Sequence, residues 1–281
     1  MSDRPVPATD AAADARATAQ VVATGASSTA VLRGEVPRAG WHVGTVVAAR
    51  RETPNATRLE LEVDGWPGNA AGQHLDVRLT APDGYSATRS YSIASSGSSS
   101  SVVLAVDKLP DGEVSPFLVE EVRAGDQLEV HGPLGAYFVW RPAAETGSSR
   151  PVQLIAGGSG VVPLFAIATA HADADDPAPF RLLYSARTPA DVYFADELRG
   201  LVAASAPLRL DLVYTRRTPE GWPVPAARIT REALEAAVIP AADEPLVYVC
   251  GSTGFVERVA DWLVELGHDP RSIRTERYGG M

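Results

Sequence analysis

Residues 152–170, VQLIAGGSGVVPLFAIATA, run from an apolar stretch of strand type into a helical stretch through Gly157, Gly158, Ser159 and Gly160. Small residues between a strand and a helix let the backbone come close to a bound anion, and the free N–H groups of the helix start favour negative charge. Working outward, buried-type runs at 180–186 (FRLLYSA), 208–215 (LRLDLVYT) and 246–252 (LVYVCGS) alternate with helical stretches at 163–172, 195–204, 230–238 and 255–267. Such alternation implies parallel strands joined by right-handed crossovers, hence an open α/β domain with its ligand at the carboxyl ends of the strands.

Upstream the rhythm differs. Short runs at 42–50, 57–63, 73–79, 89–95, 101–106, 126–132 and 136–140 (AYFVW) are separated by Gly, Pro, Asp and Asn. These read as strands of an antiparallel barrel or sandwich, with residues 115–122 (SPFLVEEV) a short helix among them. The chain is thus expected to be β followed by α/β, with a barrel over 39–146, a Gly- and Ser-containing break at 145–151 and an α/β domain over 150–281. Residues 1–38 are Ala, Ser, Thr and Asp with few large apolar side chains, and are expected to be disordered because they bury too little to offset ordering entropy.

The 281 residues exceed the size at which one core usually stops growing, and 45% hydrophobic content is enough for two. A formal net charge of −10 argues against a nucleic-acid or anionic-membrane partner. The single cysteine, Cys250, leaves no internal disulfide and too few thiolates for an iron–sulfur centre within this chain. No metal site is expected. With no signal-type start and no apolar run of about 20 residues, the expected location is cytoplasmic.

Three further stretches carry chemistry. Arg89-Ser90-Tyr91-Ser92 supplies a guanidinium, an aromatic ring and hydroxyls, which a flavin needs for its phosphate, its ring and the region of N5; an edge strand with a surface arginine reads equally well. Gly112, Val114 and Ser115 lead into the short helix, with Ser115 read as its N-cap and Pro116 as its first residue, so that the helix start faces a pyrophosphate. Residues 132–138 (GPLGAYF) offer Tyr137 and Phe138 as a packing surface for an adenine.

In the second half, the strand at 180–186 ends without the acidic residue that NAD-type ribose recognition favours. Ser185 and Arg187 stand there instead, and Arg216 and Arg217 follow the next strand. Clustered, they would hold a 2′-phosphate, which favours NADPH over NADH. Cys250 and Gly251 end a strand where a small side chain would sit against a nicotinamide. Near the chain end Glu276 and Tyr278 offer a carboxylate and a ring, with a frayed tail as the plain alternative. Arg271, Arg274 and Arg277 are candidates for a basic docking face.

In this order the motifs resemble the ferredoxin–NADP reductase family, over roughly residues 41–278. The resemblance implies an FAD-binding barrel followed by a nicotinamide-binding α/β domain, with FAD and NADP (or NAD) as cofactors. It implies that Arg89, Ser90, Tyr91 and Ser92 bind the flavin, with Tyr91 on the isoalloxazine and Ser92 near N5. It places Gly112, Val114 and Ser115 by the pyrophosphate, residues 157–160 by the nicotinamide cofactor's phosphates and Cys250 by its ring, with Glu276 and Tyr278 beside the flavin. Ser92, Cys250 and Glu276 are the expected catalytic residues. The implied activity is hydride transfer from NAD(P)H to FAD, with electrons passed to a separate ferredoxin, flavodoxin or oxygenase component. A free-flavin or ferric-chelate reductase and a non-catalytic flavin-binding regulatory module are the alternatives.

Overall fold

The computed structural model describes residues 40–204 and 207–278. The expected N-terminal disorder over 1–38 lies outside the described residues. Six strands build the first unit: β1 (Gly40–Thr53), β2 (Ala56–Val63), β3 (His74–Thr80), β4 (Ser86–Ser92), β5 (Ser101–Asp107) and β6 (Gln127–Leu134). They pair antiparallel in the order β4-β3-β6-β1-β2-β5, and an Ile93–Leu104 bridge brings the end of β4 against β5, so the sheet curls on itself as a barrel. Alternation drives it: Leu59, Leu61 and Val63 of β2, Leu75 and Val77 of β3 and Leu128 and Val130 of β6 all point into one buried core.

The seventh expected strand does not form. Residues 136–140 follow Gly135, whose φ of +89° turns the chain. Phe138 then packs edge-on to Tyr248, and Trp140 packs on Phe180 and His171. The alternation in AYFVW therefore serves the join between the two units rather than a barrel strand. Phe138 is buried there and unavailable to an adenine, while Tyr137 is exposed and donates to the Ile273 carbonyl.

The helix after β5, α1, spans Ser115–Glu120. A four-residue turn of helix, α2 (Ala143–Thr146), lies on the way to the second sheet. That sheet holds β7 (Val152–Gly157), β8 (Phe180–Ala186), β9 (Leu208–Tyr214), β10 (Leu246–Ser252) and β11 (Ile273–Tyr278), all parallel, in the order β11-β10-β7-β8-β9. The helices are α3 (Val161–Asp173), α4 (Ala195–Ala204), α5 (Arg231–Ala237) and α6 (Thr253–Glu265). β7 is buried along its whole length, as a central parallel strand must be. α3 and α4 cover one face, where their core merges with the barrel's side, and α5 and α6 cover the other. β11 was not anticipated as a strand, because only Ile273 of its six residues is buried and an edge strand shows no apolar run.

The chain leaves β7 towards β8 and β9 and later returns to β10 on β7's opposite side. The carboxyl ends of β7 and β10 therefore form a topological switch point, the crevice where ligands of open α/β sheets bind. A buried ionic cluster joins the two units: Arg58 of β2 donates to Glu52 (2.8 Å) and to Glu197 of α4 (2.6 Å), and Glu52 accepts the Phe194 N–H (2.5 Å). No helix among the described residues is long and apolar enough to cross a membrane.

Candidate functional site

A cavity of about 270 Å³ opens at the switch point. The end of β4 brings Ser90, Tyr91 and Ser92 to it, the glycine loop brings Ser159 and Gly160, β10 brings Cys250, and β11 brings Glu276 and Tyr278. Four stretches, the first and last more than 180 residues apart in the chain, thus meet in one space. The parallel register sets Cys250 beside Glu276 and Ser252 beside Tyr278.

Glycine is required where the strands close up. A Cβ on Gly160 would stand 2.3 Å from the Cys250 carbonyl oxygen, and one on Gly157 2.9 Å from the Phe255 ring. Gly251 faces the same ring at 2.7 Å, so Phe255 of α6 fills the space both glycines leave. Gly158 has φ +57°, and the Tyr278 hydroxyl, which donates to the Gly157 carbonyl at 2.5 Å, lies over the loop.

In β4 the pleat holds as the alternation predicts. Tyr91 lies opposite the buried Leu75, whereas Ser90 and Ser92 lie opposite Asp76 and His74. Burial pushes the Tyr91 phenol up to about 12. It also raises Tyr278 and lifts the Cys250 thiol well above its ordinary value, with the charge of Glu276 adding to the effect at the thiol. Cys250 is therefore a neutral thiol, not a nucleophilic thiolate. Glu276 is pushed up to about 7 by desolvation, and its Oε2 is buried without a hydrogen-bond partner. Its Oε1 lies 3.8 Å from His74 Nδ1. The cavity is thus walled mainly by hydroxyl and thiol groups, with His74 and Arg277 at it, and holds one unsatisfied carboxyl oxygen. A flat aromatic ring with hydrogen-bonding edges fits this lining, and a volume of about 270 Å³ admits a ring system and not a whole dinucleotide.

Arg89 lies outside the cavity in a surface cluster. It pairs with Glu113 at 2.6 Å, and the Tyr85 hydroxyl donates to the same carboxylate at 2.7 Å. Glu113 so draws the 109–115 turn towards Arg89. The N-cap expected at Ser115 is corrected here. Val114 is the capping position, Ser115 is the first helical residue, and its Oγ instead accepts the Leu109 N–H at 3.0 Å. Gly112 is needed in this turn, since a Cβ would stand 2.9 Å from that Oγ. Val114 is buried in the barrel core and offers only its backbone outward, and α1 has six residues, too short for much dipole.

Ser185 pairs with Gly157 across β7 and β8 and is buried. Arg187 is exposed, and its carbonyl accepts the backbone N–H groups of Arg216 (2.9 Å) and Arg217 (3.2 Å). The three arginines therefore stand together at the carboxyl edge of β8 and β9, and none is in an ion pair among the described residues. Arg187 also acts on Asp107, whose carboxyl is raised by burial and partly lowered again by that guanidinium. The expected basic face does not assemble: the Arg274 guanidinium donates to the Val139 carbonyl and the Tyr248 hydroxyl, and Arg271 and Arg277 flank opposite ends of β11. His74, Glu113 and Asp107 were not read from the sequence. A lone histidine in an alternating strand carries no local signal of the carboxyl it will meet.

Known proteins share this two-unit fold. The family described as "Oxidoreductase FAD-binding domain" matches residues 45–139, and "Oxidoreductase NAD-binding domain" matches residues 154–261. The glycine betaine monooxygenase reductase subunit of Chromohalobacter salexigens is 32% identical over 210 residues, which is 74% of this chain and 55% of that protein. The ferredoxin–NAD(P)+ reductase component of the naphthalene 1,2-dioxygenase system of Pseudomonas putida is 26% identical over 241 residues, 85% of this chain and 70% of its own length. The crystal structure of a ferredoxin NADP+ reductase from Neisseria gonorrhoeae, with FAD and NADP bound, shares the fold at 19% identity and a TM-score of 0.70, covering 84% of this chain and 98% of that one. With an FAD-binding barrel and an NAD-binding α/β unit meeting at one crevice, the chain belongs to the ferredoxin–NADP reductase-like family.

Proposed function

We propose that this protein is an NAD(P)H-dependent flavoprotein reductase that passes electrons from a nicotinamide cofactor to a separate acceptor protein. The observation that carries the proposal is the meeting of Ser92, Cys250 and Glu276 in one cavity at the switch point. Bound FAD would supply the chemistry that side chains lack: acceptance of a hydride and release of the electrons one at a time.

The chain's own residues hold and orient. Tyr91 gives a flat face, with the hydroxyls of Ser90 and Ser92 beside it. Arg89 serves the flavin phosphate, with the backbone of Gly112 and Val114 and the turn pinned by Ser115 alongside. The loop Gly157, Gly158, Ser159 and Gly160 receives the nicotinamide cofactor's phosphates, and Cys250 sets a small side chain against its ring, with Gly251 letting Phe255 pack behind it. Glu276 offers its unpaired oxygen, and Tyr278 closes the edge of the cavity. Ser185, Arg187, Arg216 and Arg217 take a 2′-phosphate, which favours NADPH. Hydride transfer needs no general base, so the contribution of the protein is alignment and exclusion of water.

The chain covers 55% of the length of the glycine betaine relative, and the names of the relatives favour an oxygenase or ferredoxin component as acceptor. A cytoplasmic location belongs to the same proposal. Anaerobic mixing of the purified protein with NADPH or NADH, followed by flavin absorbance, tests it. Rapid bleaching is expected, faster with NADPH. A preparation without flavin, or with flavin that neither nucleotide bleaches, would sink the reductase reading.

A further inference from the structure

We propose that Glu113 is a selectivity residue for the flavin: its carboxylate, steadied by the Tyr85 hydroxyl, clasps the Arg89 guanidinium, so that a flavin phosphate reaches Arg89 only by displacing a resident anion. The flavin is then held mainly through its ring and exchanges with free flavin in solution. This rests on the reductase reading, in which Arg89 serves the flavin phosphate, and deepens it.

The clasp is closed by direct hydrogen bonds. Arg89 donates to one Glu113 oxygen at 2.6 Å and to the Thr88 carbonyl at 2.8 Å, and the Tyr85 hydroxyl donates to the other Glu113 oxygen at 2.7 Å. Each partner is fixed by its own turn. Tyr85 ends the hairpin turn between β3 and β4, where its carbonyl accepts the Ala81 N–H at 2.8 Å and its N–H donates to the Asp83 carboxylate at 3.0 Å. Glu113 stands in the turn before α1, between Gly112, whose N–H donates to the Leu109 carbonyl at 2.9 Å, and the buried Val114. The Leu109 N–H bond to the Ser115 hydroxyl closes that turn. The clasp therefore ties the hairpin tip to the turn before the helix, across the start of β4.

Charge and exposure set what the clasp does. Arg89 and Lys108 are the cations of β4 and of the turn before α1, and each already has a carboxylate partner, Glu113 and Glu120 respectively. The hydrogen bond from Tyr85 is the main reason the Glu113 carboxyl lies below its usual range, with Arg89 adding to it, so the clasp is ionised at neutral pH. The Arg89 and Glu113 side chains are 52% and 48% exposed. An exposed ion pair is weak, and a phosphate, with more charge and more acceptor oxygens, can take the guanidinium from a carboxylate. The displaced carboxylate stays tethered nearby, where it repels the phosphate. The gain from the phosphate is thus only the difference between two anions, and a flavin without a phosphate is not penalised at all.

The test uses the protein as purified with its flavin. Dilution with recovery of free-flavin fluorescence gives the Kd and release rate for FAD, and competition gives the Kd values for FMN and riboflavin. In Glu113→Gln, FAD and FMN should bind about fivefold tighter, the size of one exposed ion pair, and FAD release should slow. Riboflavin, which has the ring and no phosphate, should bind as in the parent. Glu113→Ala gives the same direction should the glutamine still hold Arg89. Tightening of all three flavins alike overturns the proposal, since the residue would then act on the ring site through the fold. Unchanged or weaker FAD binding in both variants also overturns it, and bleaching of their flavin by NADPH would leave the reductase reading standing. A parent and variants that bind none of the three flavins would remove both.

Discussion

Glu276 ties the stability of the fold to pH as well as serving the site. Its carboxyl titrates near 4.5 when free and about 7 in place, because burial penalises the ionised form. Below about pH 4.5 both states are protonated and nothing is lost. Between 4.5 and 7 the unfolded chain releases its proton while the folded one keeps it, so stability falls as pH rises and the loss is complete above 7. The shift corresponds to at most about 3 kcal/mol, reduced by the 26% of the side chain that water still reaches. Glu276→Gln should therefore melt at the parent's temperature at pH 4.5 and above it at pH 8, as calorimetry at the two pH values would record. An equal difference at both would mean that the buried charge is not the cause. At this scale Ser92, Cys250 and Glu276 were legible as members of ordered motifs. His74 was not, because its meaning depends on a strand 200 residues away.

At the scale of elements, the join between barrel and α/β unit depends on Arg58. Its side chain is almost fully buried, satisfied by Glu52 and Glu197 and stacked 4.5 Å from the Phe194 ring. Removing one member of a buried pair strands the other, so Arg58→Ala should cost about 3–5 kcal/mol in urea denaturation, towards the lower end because Glu197 is partly exposed. A loss below about 1 kcal/mol would show that water replaces the guanidinium freely. Strands and helices with clear periodicity were legible, α4 among them over Ala195–Ala204. Two readings failed for local reasons: residues 136–140 alternate because they plug the join, and Ser115 spends its hydroxyl on Leu109 rather than on a cap. β11 carried no strand signal, being an edge strand with one buried residue.

Across the whole molecule, choice of nucleotide follows from how strand order gathers charge. β8 and β9 lie side by side, so arginines 29 and 30 residues beyond Arg187 stand next to it. Arg216→Ala combined with Arg217→Ala should raise the KM for NADPH about tenfold or more and leave NADH nearly unchanged, as expected for the loss of guanidinium–phosphate contacts. Steady-state kinetics with both nucleotides would decide, and equal losses would remove the 2′-phosphate assignment.

The sequence by itself determined the order of units, the period-2 barrel followed by alternating strands and helices, and the glycine loop after β7, because these depend on periodicity and on residues without a Cβ. Only the tertiary structure decided that Glu276 lies in register with Cys250 and within reach of His74, that Phe138 belongs to the join, and that the arginines at 187, 216 and 217 share one edge. Contacts between strands distant in the chain are set by sheet order and register, and those arise from the packing of the whole core rather than from any local pattern of residues.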